Sequence, residues 1–103
     1  MHHIAWECPA AEHVLWRERA VQQGAHVTPV IDRQYFKSIY FREPSGVLFE
    51  IATDEPGFAV DEDPGRLGEA LKLPPQHERL RDRLERSLTP LVNPREQQEE
   101  AIR

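Results

Sequence analysis

At 103 residues the chain has room for one small domain with an adequate but not generous core. A net charge of −5 and the lack of any basic stripe exclude a nucleic-acid footprint. No apolar run approaches a membrane span and no signal-peptide pattern is present, so a soluble, cytoplasmic protein is expected. One cysteine, Cys8, excludes an internal disulfide and fits a reducing compartment. A small buried residue at a strand end is the favoured role for Cys8 over a nucleophile.

The chain opens on a strand, His2 to Glu7, that starts almost at Met1, and a strand without a lead-in suggests that something once preceded it. Period-two alternation sets His3, Ala5 and Glu7 on one face and His2, Ile4, Trp6 and Cys8 on the other. Pro9 ends the strand and can open a helix. That helix is expected over Ala10–Gln23, stopped by Gly24 at the C-terminal capping position. Its amphipathicity is imperfect: Ala11, Val14, Leu15 and Val21 share a side with Glu18, and Trp16 faces elsewhere. His13 is expected to face solvent. A β-branched strand, His26–Arg33, follows, then a second over Tyr35–Arg42 that alternates Phe36, Ser38 and Tyr40 against Lys37, Ile39 and Phe41. Pro44-Ser45-Gly46 supplies turn chemistry before a strand that ends near Asp54. The order is βαβββ.

Beyond Asp54 the composition changes. Residues 55–66 read as a surface loop pinned by Phe58 and Val60. Leu67 and Leu71 suggest one or two helical turns. Leu80, Leu84, Leu88 and Leu91 then recur at helical spacing, giving an amphipathic helix with a narrow seam. The last ten residues are polar and expected to fray. We therefore read residues 1–54 as the βαβββ module and 55–103 as a loop and helical extension packing on it.

The chemistry centres on Glu50, set in the most apolar run of the chain among Leu48, Phe49, Ile51 and Ala52. On an inner strand an ionised carboxylate is costly unless a cation, a set of donors or a metal compensates it. A structural ion pair meets the same need, and burial alone does not choose between them. A His on the first strand and a Glu on the last strand of a βαβββ unit can both point into the concave side of a curved sheet. Together they are two-thirds of the 2-His-1-carboxylate set that holds Fe(II) with open positions. By spacing alone that signal is weak. For Arg33 and Tyr40, taken without further context, a surface salt bridge and an ordinary sheet aromatic are the favoured readings.

The segments HHIAW, VTPVIDRQYFKSIYFREPSGVLFEIATDEPGFAVDED and LGEALKLPP resemble the C-terminal module of ring-cleaving dioxygenases. These belong to the glyoxalase/bleomycin-resistance, or vicinal-oxygen-chelate, superfamily, in the branch that includes hydroquinone dioxygenases. The resemblance spans about residues 2–91 and implies an α+β vicinal-oxygen-chelate module with a C-terminal helical tail. It implies a metal site at His3 and Glu50 holding Fe(II), or Mn(II) as in some relatives. It also implies that Arg33 and Tyr40 bind or polarise a phenolic substrate and that His2 shuttles protons. Strand alternation turns His2 away from His3 unless the strand start is bulged.

Relatives of full length carry two such modules, and the second His ligand comes from the N-terminal one, which is absent here. Three arrangements follow. Two copies could pair as a homodimer with two His and two Glu around one metal, closer to a glyoxalase-type isomerase or lyase. A separately encoded N-terminal module could rebuild the dioxygenase triad, which would take a small aromatic substrate and O2. Otherwise the chain is a remnant that dimerises without catalysis. The missing half would leave a sheet edge and an apolar cup exposed, which favours association, and a twofold dimer is its simplest form.

Overall fold

Four strands form one mixed sheet in the computed structural model, which describes residues 2–96 and 98. They are β1 (His3–Cys8), β2 (Ile31–Asp32), β3 (Lys37–Arg42) and β4 (Leu48–Thr53), in the order β1-β4-β3-β2. β4 is thus an inner strand, parallel to β1 and antiparallel to β3. The chain divides into two units, Met1–Pro64 and Gly65–Arg103, and the sheet lies wholly in the first.

Register assigns the two faces. Ala5, Glu50 and Tyr40 share one rung, with His3, Leu48 and Arg42 on the rung two residues away. Because successive side chains alternate, these residues and Ser38 lie on one face, and Cys8, Ile39 and Ile51 lie on the other. The second face is the core, where Cys8, Ile39 and Ile51 are buried with Val27 and Phe41 packed against them. Cys8 is the small buried strand-end residue expected; burial first, then Glu12, Asp54 and Glu7, pushes its thiol up, the opposite of an activated nucleophile.

The helix α1 (His13–Gln22) covers the core face, preceded by a 3-10 turn at Ala10–Glu12 instead of starting as α-helix at Ala10. Gly24 ends it as expected, at φ +90°, where a Cβ would be strained. The inward side of α1 corrects the sequence reading. His13 is 3% exposed, not solvent-facing, and its Nε2 lies 2.8 Å from the carbonyl of Ile51. A carbonyl only accepts, so Nε2 carries the proton. Arg17 likewise turns inward and donates to the carbonyls of Thr28 at 2.9 Å and Val27 at 3.4 Å. Directional polar contacts therefore seat this helix, and Val14, Leu15 and Val21 stay exposed. Beside it, on the core face, Trp6, Trp16, Phe41 and Phe49 line a groove of about 790 Å³.

The strand expected over His26–Arg33 shrinks to Ile31–Asp32. Pro29 has no N–H to donate and interrupts the ladder. Before Pro29, Thr28 bridges to β3: its N–H donates to the Tyr40 carbonyl at 3.0 Å, and its hydroxyl accepts from the Tyr40 N–H at 3.1 Å. Between β2 and β3, Gln34 takes φ +68° and donates its N–H to Asp32 Oδ1 at 2.7 Å, a side-chain turn that delays β3 to Lys37. At the β3–β4 turn the Glu43 carboxylate accepts from the N–H of Val47 at 2.7 Å and of Ser45 at 3.0 Å, and Gly46 sits at φ +94°.

After β4 Phe58 makes a ring contact with Tyr35, centroids 5.4 Å apart, but both Phe58 and Val60 are exposed, so burial does not pin the loop as expected. In the second unit, Leu67 lies in a turn and Leu71 in irregular chain, neither of them in a helix. Pro75–Leu80 is a 3-10 helix that continues into α2 (Arg81–Ser87). The expected leucine seam stops early: α2 ends at Ser87, Leu88 is extended shortly before Pro90, which cannot continue a helix, and Leu91 is 93% exposed. Leu80 and Leu84 are the half-buried members. The fraying expected over the last ten residues falls mostly outside the described residues.

Candidate metal centre

Glu50 is 7% exposed, and each of its oxygens has a different neighbourhood. Oε1 stands 3.1 Å from His3 Nε2. Oε2 accepts from the Ser38 hydroxyl and, at 3.2 Å, from the Tyr40 hydroxyl. The Tyr40 oxygen in turn accepts from Arg33 Nε at 3.1 Å, and the guanidinium lies 5.3 Å from the Tyr40 ring centroid. The Tyr40 hydroxyl has one proton, given to the carboxylate, and lone pairs to receive the guanidinium. A permanent cation is thus coupled to the buried acid through one phenol. These donors supply the compensation that burial of the charge requires.

Sheet pairing builds this arrangement. Parallel pairing of β1 with β4 puts Ala5 beside Glu50, and His3 reaches the carboxylate diagonally from the next position on the same face. The methyl of Ala5 leaves the rung open. Tyr40 is directly opposite Glu50 across the antiparallel pair, and Ser38 precedes it by one pleat. Of the five residues singled out in the sequence, His3, Arg33, Tyr40 and Glu50 come together. His2 precedes β1 and is exposed, its carbonyl accepting from the Leu48 N–H at 3.4 Å.

Ser38 was not singled out. It is fully buried, and the available signal was its place two residues before Tyr40 on an alternating strand. A second hydroxyl cluster also escaped notice: Tyr35 and the Gln34 amide both donate to Asp61 Oδ2 at 2.9 Å. Burial first, then Asp61, raises the Tyr35 phenol, which keeps it a donor.

The donor set suits a divalent ion in part. Two ligands with bonds of about 2.0–2.2 Å at right angles stand roughly 3 Å apart, and His3 Nε2 and Glu50 Oε1 are 3.1 Å apart. Imidazole and carboxylate are the ligand types of non-haem Fe(II) centres. Among the described residues no third His, Cys, Asp or Glu joins them.

The family described as "Glyoxalase/Bleomycin resistance protein/Dioxygenase superfamily" matches residues 1–51. The chain is 50% identical over 91 residues to "Putative ring-cleaving dioxygenase MhqO" of Bacillus subtilis, a match covering 87% of this chain and 29% of that protein. It is 45% identical over 74 residues to the chlorohydroquinone/hydroquinone 1,2-dioxygenase of Sphingobium indicum, covering 68% and 23%. A solved structure described as a putative dioxygenase from Bacillus subtilis superposes with a TM-score of 0.81 at 48% identity, covering 88% of this chain and 30% of that one. The chain therefore spans less than a third of the length of these relatives. Among the described residues no helix is long and apolar enough to cross a membrane.

Proposed function

Because this chain belongs to the glyoxalase/bleomycin resistance protein/dioxygenase superfamily, we propose that it supplies one half of a ring-cleaving dioxygenase centre. The reading assigns it the O2-dependent opening of a dihydroxylated aromatic ring once a second module completes the site. The observation that carries it is the His3–Glu50 pair, 3.1 Å apart on the sheet face opposite the core.

His3 and Glu50 would hold a divalent ion, Fe(II) or Mn(II), with the missing imidazole coming from the other module. When bound, such an ion supplies adjacent positions for a phenolate and O2 and a path for electrons between them. The chain's own residues do the rest. Arg33 offers a permanent cation to the phenolate or to the carboxylate formed as the ring opens. Tyr40, held between Arg33 and Glu50, places a hydroxyl at the edge of the site.

In this reading the second module is another copy of this chain or an N-terminal half, carried on a separate chain or on the same one. β1 is an edge strand of six residues, long enough to support side-by-side association. A homodimer would gather two His and two Glu around one ion and favour oxygen-independent isomerase or lyase chemistry; a dimer without catalysis is the remaining outcome. The decisive experiment reconstitutes the chain anaerobically with Fe(II), alone and mixed with the N-terminal module of a relative, and follows O2 uptake with hydroquinone. Uptake in the mixture that vanishes in Glu50→Gln supports the reading. Stoichiometric Fe(II) binding in the mixture without O2 uptake refutes the dioxygenase assignment, and a chain that sediments as a monomer at micromolar concentration refutes the homodimer.

A further inference from the structure

We propose that Ser38 is a positioning residue that fixes Glu50 as a one-oxygen ligand. The idea rests on the metal-centre reading above but is built on different atoms. Ser38 has no solvent exposure, lies in β3, and gives its hydroxyl proton to Oε2 of Glu50. Tyr40 gives its proton to the same oxygen at 3.2 Å, so both donors crowd one side of the carboxylate. The other oxygen, Oε1, is left to His3 at 3.1 Å.

A carboxylate has about four lone-pair sites, and which of them are taken decides what remains for a cation. With Oε2 committed to two hydroxyls, Glu50 presents a single oxygen. That favours small ions with short bonds and right-angled ligands, and disfavours calcium, which readily takes both carboxylate oxygens at longer range. The role of Ser38 is thus to choose the class of ion and to keep coordination positions from being filled by the second oxygen. Tyr40 cannot do this alone, since it is only half buried and is also engaged by Arg33. Ser38 is locked by the sheet, opposite Ala52 on the inner strand.

The test compares the full chain with Ser38→Ala and the hydroxyl-keeping Ser38→Thr. Two readouts are taken on each: Mn(II) affinity by electron paramagnetic resonance with Ca(II) as competitor, and the carbon-13 signal of the Glu50 carboxyl without metal. Loss of an outer-shell partner costs about 10–100-fold in metal affinity. Ser38→Ala is expected to weaken Mn(II) by at least about 10-fold with less effect on Ca(II), and to move the carboxyl signal. Ser38→Thr is expected to restore both. An alanine variant with unchanged carboxyl signal overturns the clamp whether or not metal binds. Equal loss of Mn(II) and Ca(II) affinity overturns the selection of ion class. If the unsubstituted chain binds no Mn(II) while Ser38→Ala still shifts the carboxyl signal, the metal reading and its ion selection fall and only the clamp on Glu50 stands.

Discussion

Replacing His13 by alanine should loosen the first unit more than any surface change. The imidazole is 3% exposed and its Nε2 donates to the Ile51 carbonyl at 2.8 Å. Leaving a buried acceptor without its donor costs about 1–3 kcal/mol. The cavity left by a buried ring adds to this, giving a total of roughly 2–4 kcal/mol. For a domain near this size, about 4–8 °C of melting temperature goes with each kcal/mol, so the midpoint should drop by on the order of 10 °C or more. Both tryptophans, Trp6 and Trp16, lie in Met1–Pro64, so fluorescence during urea unfolding reports that unit. The midpoint should fall with an unchanged slope, because the surface exposed on unfolding is the same. His13→Gln, which keeps an amide donor, should recover part of the loss. If His13→Ala unfolds within about 0.5 kcal/mol of the natural chain, then α1 is not seated by this bond and the packing account fails.

The β3–β4 turn should be acid-sensitive. Hydrogen bonds from Ser45, first its hydroxyl and then its backbone, followed by the Val47 N–H, hold Glu43 below the ordinary carboxylate range. A lowered folded-state value gives stability above the unfolded-state range that is lost as pH falls through the folded value. Amide shifts of Gly46 and Val47 should follow that titration, and Glu43→Gln should abolish it. Gly46→Ala should cost about 1 kcal/mol from the positive φ alone, since a Cβ there would meet nothing within 4 Å; a neutral result by urea unfolding would contradict the observed turn. Tyr40→Phe should cut the link between Arg33 and Glu50 and weaken Mn(II) binding less than Ser38→Ala does, because its bond to Oε2 is long at 3.2 Å and Ser38 still holds that oxygen. Titration by electron paramagnetic resonance ranks the two variants.

Much of the sheet could be read from residue pattern alone. Alternation over Lys37–Arg42 and the apolar run around Glu50 gave β3 and β4 directly, and the resemblance paired His3 with Glu50 across the sheet. The failures have local causes. A β-branched run hid the fact that Pro29 cannot donate to a ladder, so β2 was drawn too long. α1 was judged by its apolar side, but polar bonds from His13 and Arg17 orient it, and no hydrophobic period encodes those. Ser38 escaped because a serine in a strand is unremarkable until its partner is known, and its partner is twelve residues away across a turn. Leu88 and Leu91 kept helical spacing past the point where Pro90 forbids a helix.

The bare methyl of Ala5 opens a route to autonomy for this half-site. Position 5 shares the rung of Glu50 and follows His3 by one pleat on the same face. A histidine installed there would set two imidazoles and one carboxylate on a single sheet, a facial set of the kind that holds Fe(II). Under the proposed reading, Ala5→His should thus bind Mn(II) without a second module.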